Sequence, residues 1–351
     1  MRIALISTPF VTVPPRRYGG TELMVAELSD GLVERGHDVT LFGTGDSFTP
    51  AELCSLYHEA QWPPDVMQDI NHVSWAMRQA YDGGFDVVHA NSAAALVFTR
   101  FMHSLPLVYT LHHSRDDALS HFYRYFPDVH YVAISHDQAR RETGVRLPHV
   151  IHHGLNPARY SWRERAANYV CFLARFAKVK GPHTAIDVAG EAGVPIRVAG
   201  EAHHVDADFN AREIEPRLLR DHVTMLGSIG MSEKVPLLRD ARALLAPIEW
   251  DEPFGLALIE AMLSGCPVVA FPRGSVPELV EEGVTGFVVR DAGEMRDLIR
   301  PGGPLDDFDR GRCRSRTAER FGHERMITKY EHLYATAAGD ASPHERLVRI
   351  A

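Results

Sequence analysis

Two glutamates eight residues apart, Glu252 and Glu260, stand in the string Trp250-Asp251-Glu252-Pro253-Phe254-Gly255-Leu256-Ala257-Leu258-Ile259-Glu260-Ala261-Met262, which runs on to Gly265-Cys266-Pro267-Val268-Val269. Its pattern predicts strand to Ala246, then a loop, a helix, a glycine stop and another strand. Pro253 suits the start of the helix, where its missing N–H costs little. The first-turn N–H groups, near Phe254 to Ala257, then carry partial positive charge, which suits a diphosphate. Eight residues of helix span about 12 Å, too far for the carboxylates to share a proton as an acid–base pair. They would touch different parts of one long ligand: Glu252 a hydroxyl at the loop end, Glu260 a hydroxyl farther in. A diphosphate joining two polyols has that layout. The spacing alone is also that of a helix-capping Glu252 and a Glu260 on a solvated face. The whole string, Glu-Pro-Phe-Gly-Leu, the second Glu and then Gly-Cys-Pro-Val-Val-Ala, is what argues for a ligand.

The elements that must position these residues read as α/β. Ile3 to Ser7, Asp38 to Phe42, Val87 to Ala90, Leu107 to Leu111, Tyr131 to Ile134 and Val150 to His152 are short apolar runs expected as buried strands. Helical patterns such as Thr21 to Arg35 lie between them, which indicates a parallel sheet covered on both faces. The pattern restarts with Tyr169 to Ala174, Ile196 to Ala199, Val223 to Leu226, Ala243 to Ala246, Val268 to Phe271 and Gly286 to Val289. A linker is placed in the Gly-, Pro- and charge-bearing stretch from Gly154 to Arg165. The expected domains are residues 1–157 and 158–320, with an amphipathic helix near the C-terminus, Glu319 to Tyr334. Two such Rossmann-like domains would face a central cleft, with ligands at the carboxyl ends of the strands.

Bulk properties exclude other classes. At 351 residues the chain suits two domains. The net charge of −9 argues against nucleic acid as a partner, because phosphate backbones call for clustered Lys and Arg. The four cysteines, Cys54, Cys171, Cys266 and Cys313, are scattered and form no C-x-x-C, as expected of reduced thiols in a cytoplasmic protein. The N-terminus lacks the pattern of a signal peptide, and no apolar stretch approaches the ~20 residues of a membrane span. Twenty histidines, with doublets at 112–113, 152–153 and 203–204, come without an H-E-x-x-H framework, and no metal site is expected. His89 and His103 read as core or surface residues, His152 and His153 as possible cleft residues. Tyr123, Tyr125 and Phe126 read either as core or as the floor of an acceptor site. A nicotinamide-binding G-x-G-x-x-G is absent after the first strand, where Thr8 to Tyr18 forms a Pro-rich loop ending in Gly-Gly.

The Glu252–Val269 segment resembles the donor-binding motif of family 4 retaining glycosyltransferases, and further positions agree in order across nearly the whole chain. Tyr18-Gly19-Gly20-Thr21-Glu22 resembles the family's glycine-rich loop, and Thr110-Leu111-His112 its T-x-H. Leu173-Ala174-Arg175 to Lys180-Gly181 resembles the segment carrying its basic pair, with Ala174 where the family commonly has Gly. Gly227 matches a glycine near the base, and Arg320-Phe321 to Tyr334 the terminal helix. The resemblance implies a GT-B fold and a retaining transferase with a nucleotide-diphosphate sugar donor. It further implies that Gly19 and Gly20 approach the donor phosphate, that His112 faces the transferred sugar, and that Arg175 and Lys180 neutralise the pyrophosphate. Gly227, Phe254, Gly255, Leu256 and Glu260 would complete the donor site, with Glu260 on the ribose and Glu252 serving transfer. His113, beside His112, leaves open which histidine faces the sugar.

Two cations and a helix N-terminus can stabilise a departing diphosphate without a divalent metal, so neither metal nor cofactor is expected. UDP is the favoured nucleotide. Residues 1–157 hold no lysine, 11 Arg and 17 acidic residues, a surface that anionic lipid would repel. A soluble acceptor is therefore expected, with no stable membrane insertion. The composition also resembles actinobacterial tailoring enzymes of oligosaccharide antibiotics. The alternatives are a lipid-linked acceptor and a non-catalytic nucleotide-sugar-binding protein. Domain closure about the linker is expected on donor binding.

Overall fold

The apolar runs become two parallel sheets in a computed structural model that describes residues 1–340. The described residues divide into two compact units, residues 1–154 with 323–340, and Leu155–Gly322. Unit 1 holds β1 (Arg2–Ile6), β2 (Asp38–Gly43), β3 (Glu52–Ser55), β4 (Val87–Ala90), β5 (Leu107–Thr110), β6 (His130–Ala133) and β7 (His149–Val150). Their order is β3-β2-β1-β4-β5-β6-β7, and every pairing is parallel. The edge strand β3 is not among the expected strands. Its sequence, Glu-Leu-Cys-Ser, is only half-buried and has no apolar run for a pattern to find.

The helix Gly20–Glu34 follows β1 and packs against the C-terminal helix His323–Asp340. A methyl on Gly31 would lie 2.0 Å from Ile327 Cδ1, so glycine is what lets the two helices meet. The single helix expected from Glu319 to Tyr334 is in fact two. Arg310–Phe321 ends at Gly322, whose ψ of 141° is not helical, and His323–Asp340 starts afresh. Gly322 lies beside Leu155, whose N–H donates to the Phe321 carbonyl at 3.0 Å. Residues 155–157, expected in the first domain, thus lie in unit 2.

Unit 2 holds β8 (Val170–Leu173), β9 (Ile196–Ala199), β10 (Val223–Gly227), β11 (Leu244–Ala246), β12 (Val268–Ala270) and β13 (Gly286–Val288). The sheet is again all parallel, in the order β10-β9-β8-β11-β12-β13. Val170, Phe172, Val198, Leu245 and Val269 form its core with Ile186 of the helix Pro182–Glu191 and Met295. In both units β-strands feed helices, so loops gather at the carboxyl ends of the strands. No helix among the described residues is long and apolar enough to cross a membrane.

Candidate active site

The segment between β11 and β12 carries the two candidate glutamates. Its helix is Leu256–Leu263, and Gly255 caps it in the left-handed conformation with φ 96°. Pro253 and Glu252 therefore precede the helix, which corrects the expectation that Pro253 opens it. The 12 Å helical ruler between Glu252 and Glu260 falls with it, because Glu252 lies in the loop. The loop is clamped from the side of β12. The Ser275 N–H donates to the Glu252 carbonyl at 2.9 Å, and the Ser275 hydroxyl to the Phe254 carbonyl at 2.5 Å. Gly274, with φ 58°, passes so close that a methyl there would lie 2.3 Å from the Glu252 backbone. Phe254 is buried, with its ring packed edge-on to Phe321.

The two carboxylates are buried and held in parallel fashion. Glu252 Oε2 accepts from Lys180 Nζ and from Trp250 Nε1, the latter at 2.8 Å. Lys180 also sits 4.7 Å over the Trp250 ring, a cation–π contact. Glu260 Oε1 accepts from Lys234 Nζ at 2.5 Å and from the Tyr160 hydroxyl at 3.2 Å. Each glutamate thus spends one oxygen on a lysine and a neutral donor. Its second oxygen makes no hydrogen bond among the described residues. These contacts overturn the bland readings: Glu252 caps no helix, and Glu260, 4% exposed, is on no solvated face.

Lys180 is delivered by the turn Lys178–Lys180, which Gly181 closes at φ 71°. A methyl on Gly181 would lie 2.2 Å from the Pro247 carbonyl oxygen. Gly181→Ala is expected to cost at least about 2 kcal/mol, from positive φ and the clash together, and to slow turnover by displacing Lys180. Thermal unfolding and an initial-rate assay would check it; unchanged values in both would show that the turn gives freely.

Arg175, after β8, is paired as well, with Asp206 at 3.4 Å and with His203 Nδ1 at 3.3 Å. Burial first, and the Arg175 charge second, hold the His203 pKa below the usual imidazole range. No Asp-x-Asp metal motif is expected from the sequence, yet two such strings occur, Asp206-Ala207-Asp208 and Asp307-Phe308-Asp309. Asp206 faces Arg175, Asp208 is exposed, and Asp309 caps the helix Arg310–Phe321 through the Arg312 N–H. Gly227 ends β10 at φ 72°, its carbonyl accepting from the Gly200 N–H at 2.8 Å.

In unit 1 the chain leaves β1 through a loop that ends at Gly19, the N-cap of Gly20–Glu34. A methyl on Gly19 would lie 2.7 Å from Pro15 Cβ. Gly20 is exposed at the first turn of that helix. Glu22 is buried there, its pKa raised by burial, and accepts from the Thr8 hydroxyl at 2.6 Å. At the end of β5, His112 Nε2 meets Asn91 Oδ1 at 2.8 Å, and its ring stacks on His153 with centroids 5.4 Å apart. Burial, with a smaller contribution from His113, pushes the His112 pKa down to about 3. His113 commits both ring nitrogens, to the Tyr123 hydroxyl at 2.7 Å and the Ser114 carbonyl at 2.6 Å. His112 therefore has a ring nitrogen left over, and His113 does not.

The remaining aromatic and histidine candidates sort by burial. Tyr123 and Phe126 belong to the core of unit 1, Tyr125 is exposed, and His103 is exposed. His89 is fully buried between the Tyr334 and Thr110 hydroxyls. His152 lies edge-on to His136. Glu34, His323 and Glu324 bring donor atoms within 4.8 Å of one another, but Glu324 is already paired with Arg35.

Two family models match the chain in tandem: Glycosyltransferase Family 4 over residues 18–159 and Glycosyl transferases group 1 over residues 161–300. The chain is a glycosyltransferase of the GT-B type. The glycosyltransferase is 26% identical to the glycogen synthase of Mycobacterium tuberculosis, covering 99% of this chain and 98% of that one. Its fold is similar to that of AviGT4, a glycosyltransferase involved in avilamycin A biosynthesis, with TM-score 0.75, 23% identity and coverage of 97% and 98%. It is likewise similar to Anabaena Alr3699/HepE, solved in complex with UDP-glucose, with TM-score 0.73, 22% identity and coverage of 95% and 100%. Both solved structures speak to the fold of the glycosyltransferase.

Sequence reasoning missed the partners that hold this glycosyltransferase's candidate residues: Lys234, Tyr160, Trp250, Asn91 and Asp206. Trp250 stands inside the motif string and Lys234 is one of only four lysines, so both carried a signal. Tyr160 is 100 residues from Glu260, and nothing local marks it.

Proposed function

We propose that this enzyme is a retaining, metal-independent glycosyltransferase that moves a sugar from a UDP-sugar to a soluble acceptor, an oligosaccharide or natural-product intermediate. The observation that carries the reading is the pair of buried glutamates, each anchored through one oxygen to a lysine, the other oxygen making no hydrogen bond among the described residues. Glu260 accepts from the ribose diol, and Glu252 from the transferred sugar. Arg175 and Lys180 stabilise the departing diphosphate, with Gly19, Gly20, Gly227 and the backbone at Gly255 and Leu256 lining the donor. His112 meets the transferred sugar. The leaving phosphate helps take the acceptor proton, so configuration is retained by attack from the front face.

UDP is supported by the complex of HepE with UDP-glucose. A soluble acceptor is supported by the acidic, lysine-free stretch 1–157, and a cytoplasmic location by the four free cysteines. The likeness to AviGT4 suits a natural-product acceptor.

The test is incubation with UDP-, GDP-, ADP- and TDP-sugars in the presence of EDTA, following nucleoside diphosphate release and the anomeric configuration of the product. Release from the UDP-sugar, undiminished by EDTA, with retained configuration is the expected result. Activity abolished by EDTA and restored by magnesium would sink the metal-independent mechanism. Tight nucleotide binding without turnover on any acceptor would favour the non-catalytic alternative.

A further inference from the structure

The side chain of Asn91 decides which proton His112 carries. Asn91 follows β4 and is 8% exposed. Its Nδ2 donates to the Ile6 carbonyl at 3.0 Å. A carbonyl only accepts, so the amide cannot be reversed without setting two oxygens against each other. Oδ1 must therefore face His112 Nε2, 2.8 Å away, and an oxygen there requires that Nε2 bear the proton. With the ring neutral, Nδ1 is left as a lone pair, and it makes no hydrogen bond among the described residues. The titratable groups packed around the ring are imidazoles: His89 from β4, His113 from the same loop, and His153 from the stretch after β7. None of the three is a carboxylate that would hold the ring as imidazolium.

We propose that Asn91 is a positioning residue that fixes the tautomer of His112, so that Nδ1 is offered as a hydrogen-bond acceptor to a hydroxyl of the transferred sugar. The proposal rests on the reading above that His112 meets that sugar. A neutral acceptor suits the task. Every sugar hydroxyl can donate to it, and it adds no positive charge beside a centre that becomes electron-poor as the donor bond breaks.

Asn91→Asp keeps the size and the acceptor toward His112, adds a charge, and sets a second carboxylate oxygen against the Ile6 carbonyl where Nδ2 donates in wild type. The carboxylate beside Nε2–H favours the imidazolium and raises the His112 pKa. Protonated His112 donates from Nδ1 and no longer accepts. The variant should therefore lose activity as pH falls through the raised pKa, by about tenfold per unit below it, and regain activity above it. Wild-type enzyme should show no such limb at neutral pH, since its His112 stays neutral down to about pH 3.

The experiment is nitrogen NMR of histidine-labelled enzyme, His112 being assigned by its disappearance in His112→Gln, alongside pH–rate profiles of wild type and Asn91→Asp. The expected result is a protonated Nε2 and an unprotonated Nδ1 in wild type, and an imidazolium in Asn91→Asp with a matching acidic limb in kcat. A wild-type ring protonated on Nδ1, or charged at neutral pH, would overturn the proposal, and that spectrum needs no variant to fold. A folded Asn91→Asp enzyme that loses rate at every pH without any change in the ring signals would overturn it too, since loss of packing alone does that. An imidazolium in Asn91→Asp with an unmoved pH–rate profile would leave the tautomer standing and sink the placement of His112 at the sugar.

Discussion

Lys180→Met is expected to lower kcat by about 10²- to 10³-fold, the cost of removing one charged stabiliser of a developing anion from a preorganised site. The lysine is placed by the Glu252 carboxylate, the Trp250 ring and the Gly181 turn, and a methionine keeps the turn and the ring contact but cannot pair with the carboxylate. Its loss also leaves the Glu252 carboxylate buried with only the Trp250 N–H, which adds to the cost. Nucleoside diphosphate affinity should fall less than kcat, because the charge that needs Lys180 most develops only as the donor bond breaks. Lys178→Met, in the same turn but exposed, is the control and should change neither value. Steady-state kinetics and calorimetric titration of the nucleotide would check both. A kcat within a few-fold of wild type would remove Lys180 from the leaving-group role.

Glu260→Ala should weaken nucleoside diphosphate binding by roughly 10- to 100-fold, the value of one charge-assisted hydrogen bond to a ligand hydroxyl. It should also destabilise unit 2 by about 3 kcal/mol, because Lys234, 11% exposed, is left as a buried unpaired cation. The two effects separate in the double variant Lys234→Met/Glu260→Met. Replacing both charges with apolar groups of similar size should restore much of the stability but none of the binding. Thermal unfolding and nucleotide titration of the single and double variants would decide. Recovery of binding in the double variant would mean that Glu260 holds the fold and not the nucleotide.

Much of this enzyme was legible in local patterns, for reasons that differ from element to element. Buried parallel strands are short apolar runs because both faces are covered, so β4 could be read to the residue, and β9 likewise despite its one exposed residue, Arg197. The edge strand β3 could not, since its partner on one side and half-exposure on the other leave no run to read. The helix after Glu252 was anticipated, but its start was placed too early. Proline is a common first residue of helices, yet here the left-handed Gly255 sets the cap and puts Pro253 outside. The break at Gly322 was hidden because amphipathic periodicity runs through it, and only the pairing of that backbone with Leu155 turns it out of the helix.

What the sequence by itself determined was the set of strand and helix periods, the residue types of a donor site, and their order along the chain. Those properties are carried by neighbours in the chain, whose spacing follows from 3.6- and 2-residue repeats. Only the tertiary structure decided what each chemical group faces. The anchors of Glu252, Glu260 and His112 come from 72, 26 and 21 residues away, on other elements of the same unit. A buried charge must find a partner wherever the fold brings one, because leaving it alone costs several kcal/mol. The ionic pairing of the two lysines, the choice of His112 over His113 as the ring with a spare nitrogen, and the tautomer imposed by Asn91 are therefore consequences of packing, since desolvation and three-dimensional proximity have no period that a sequence can display.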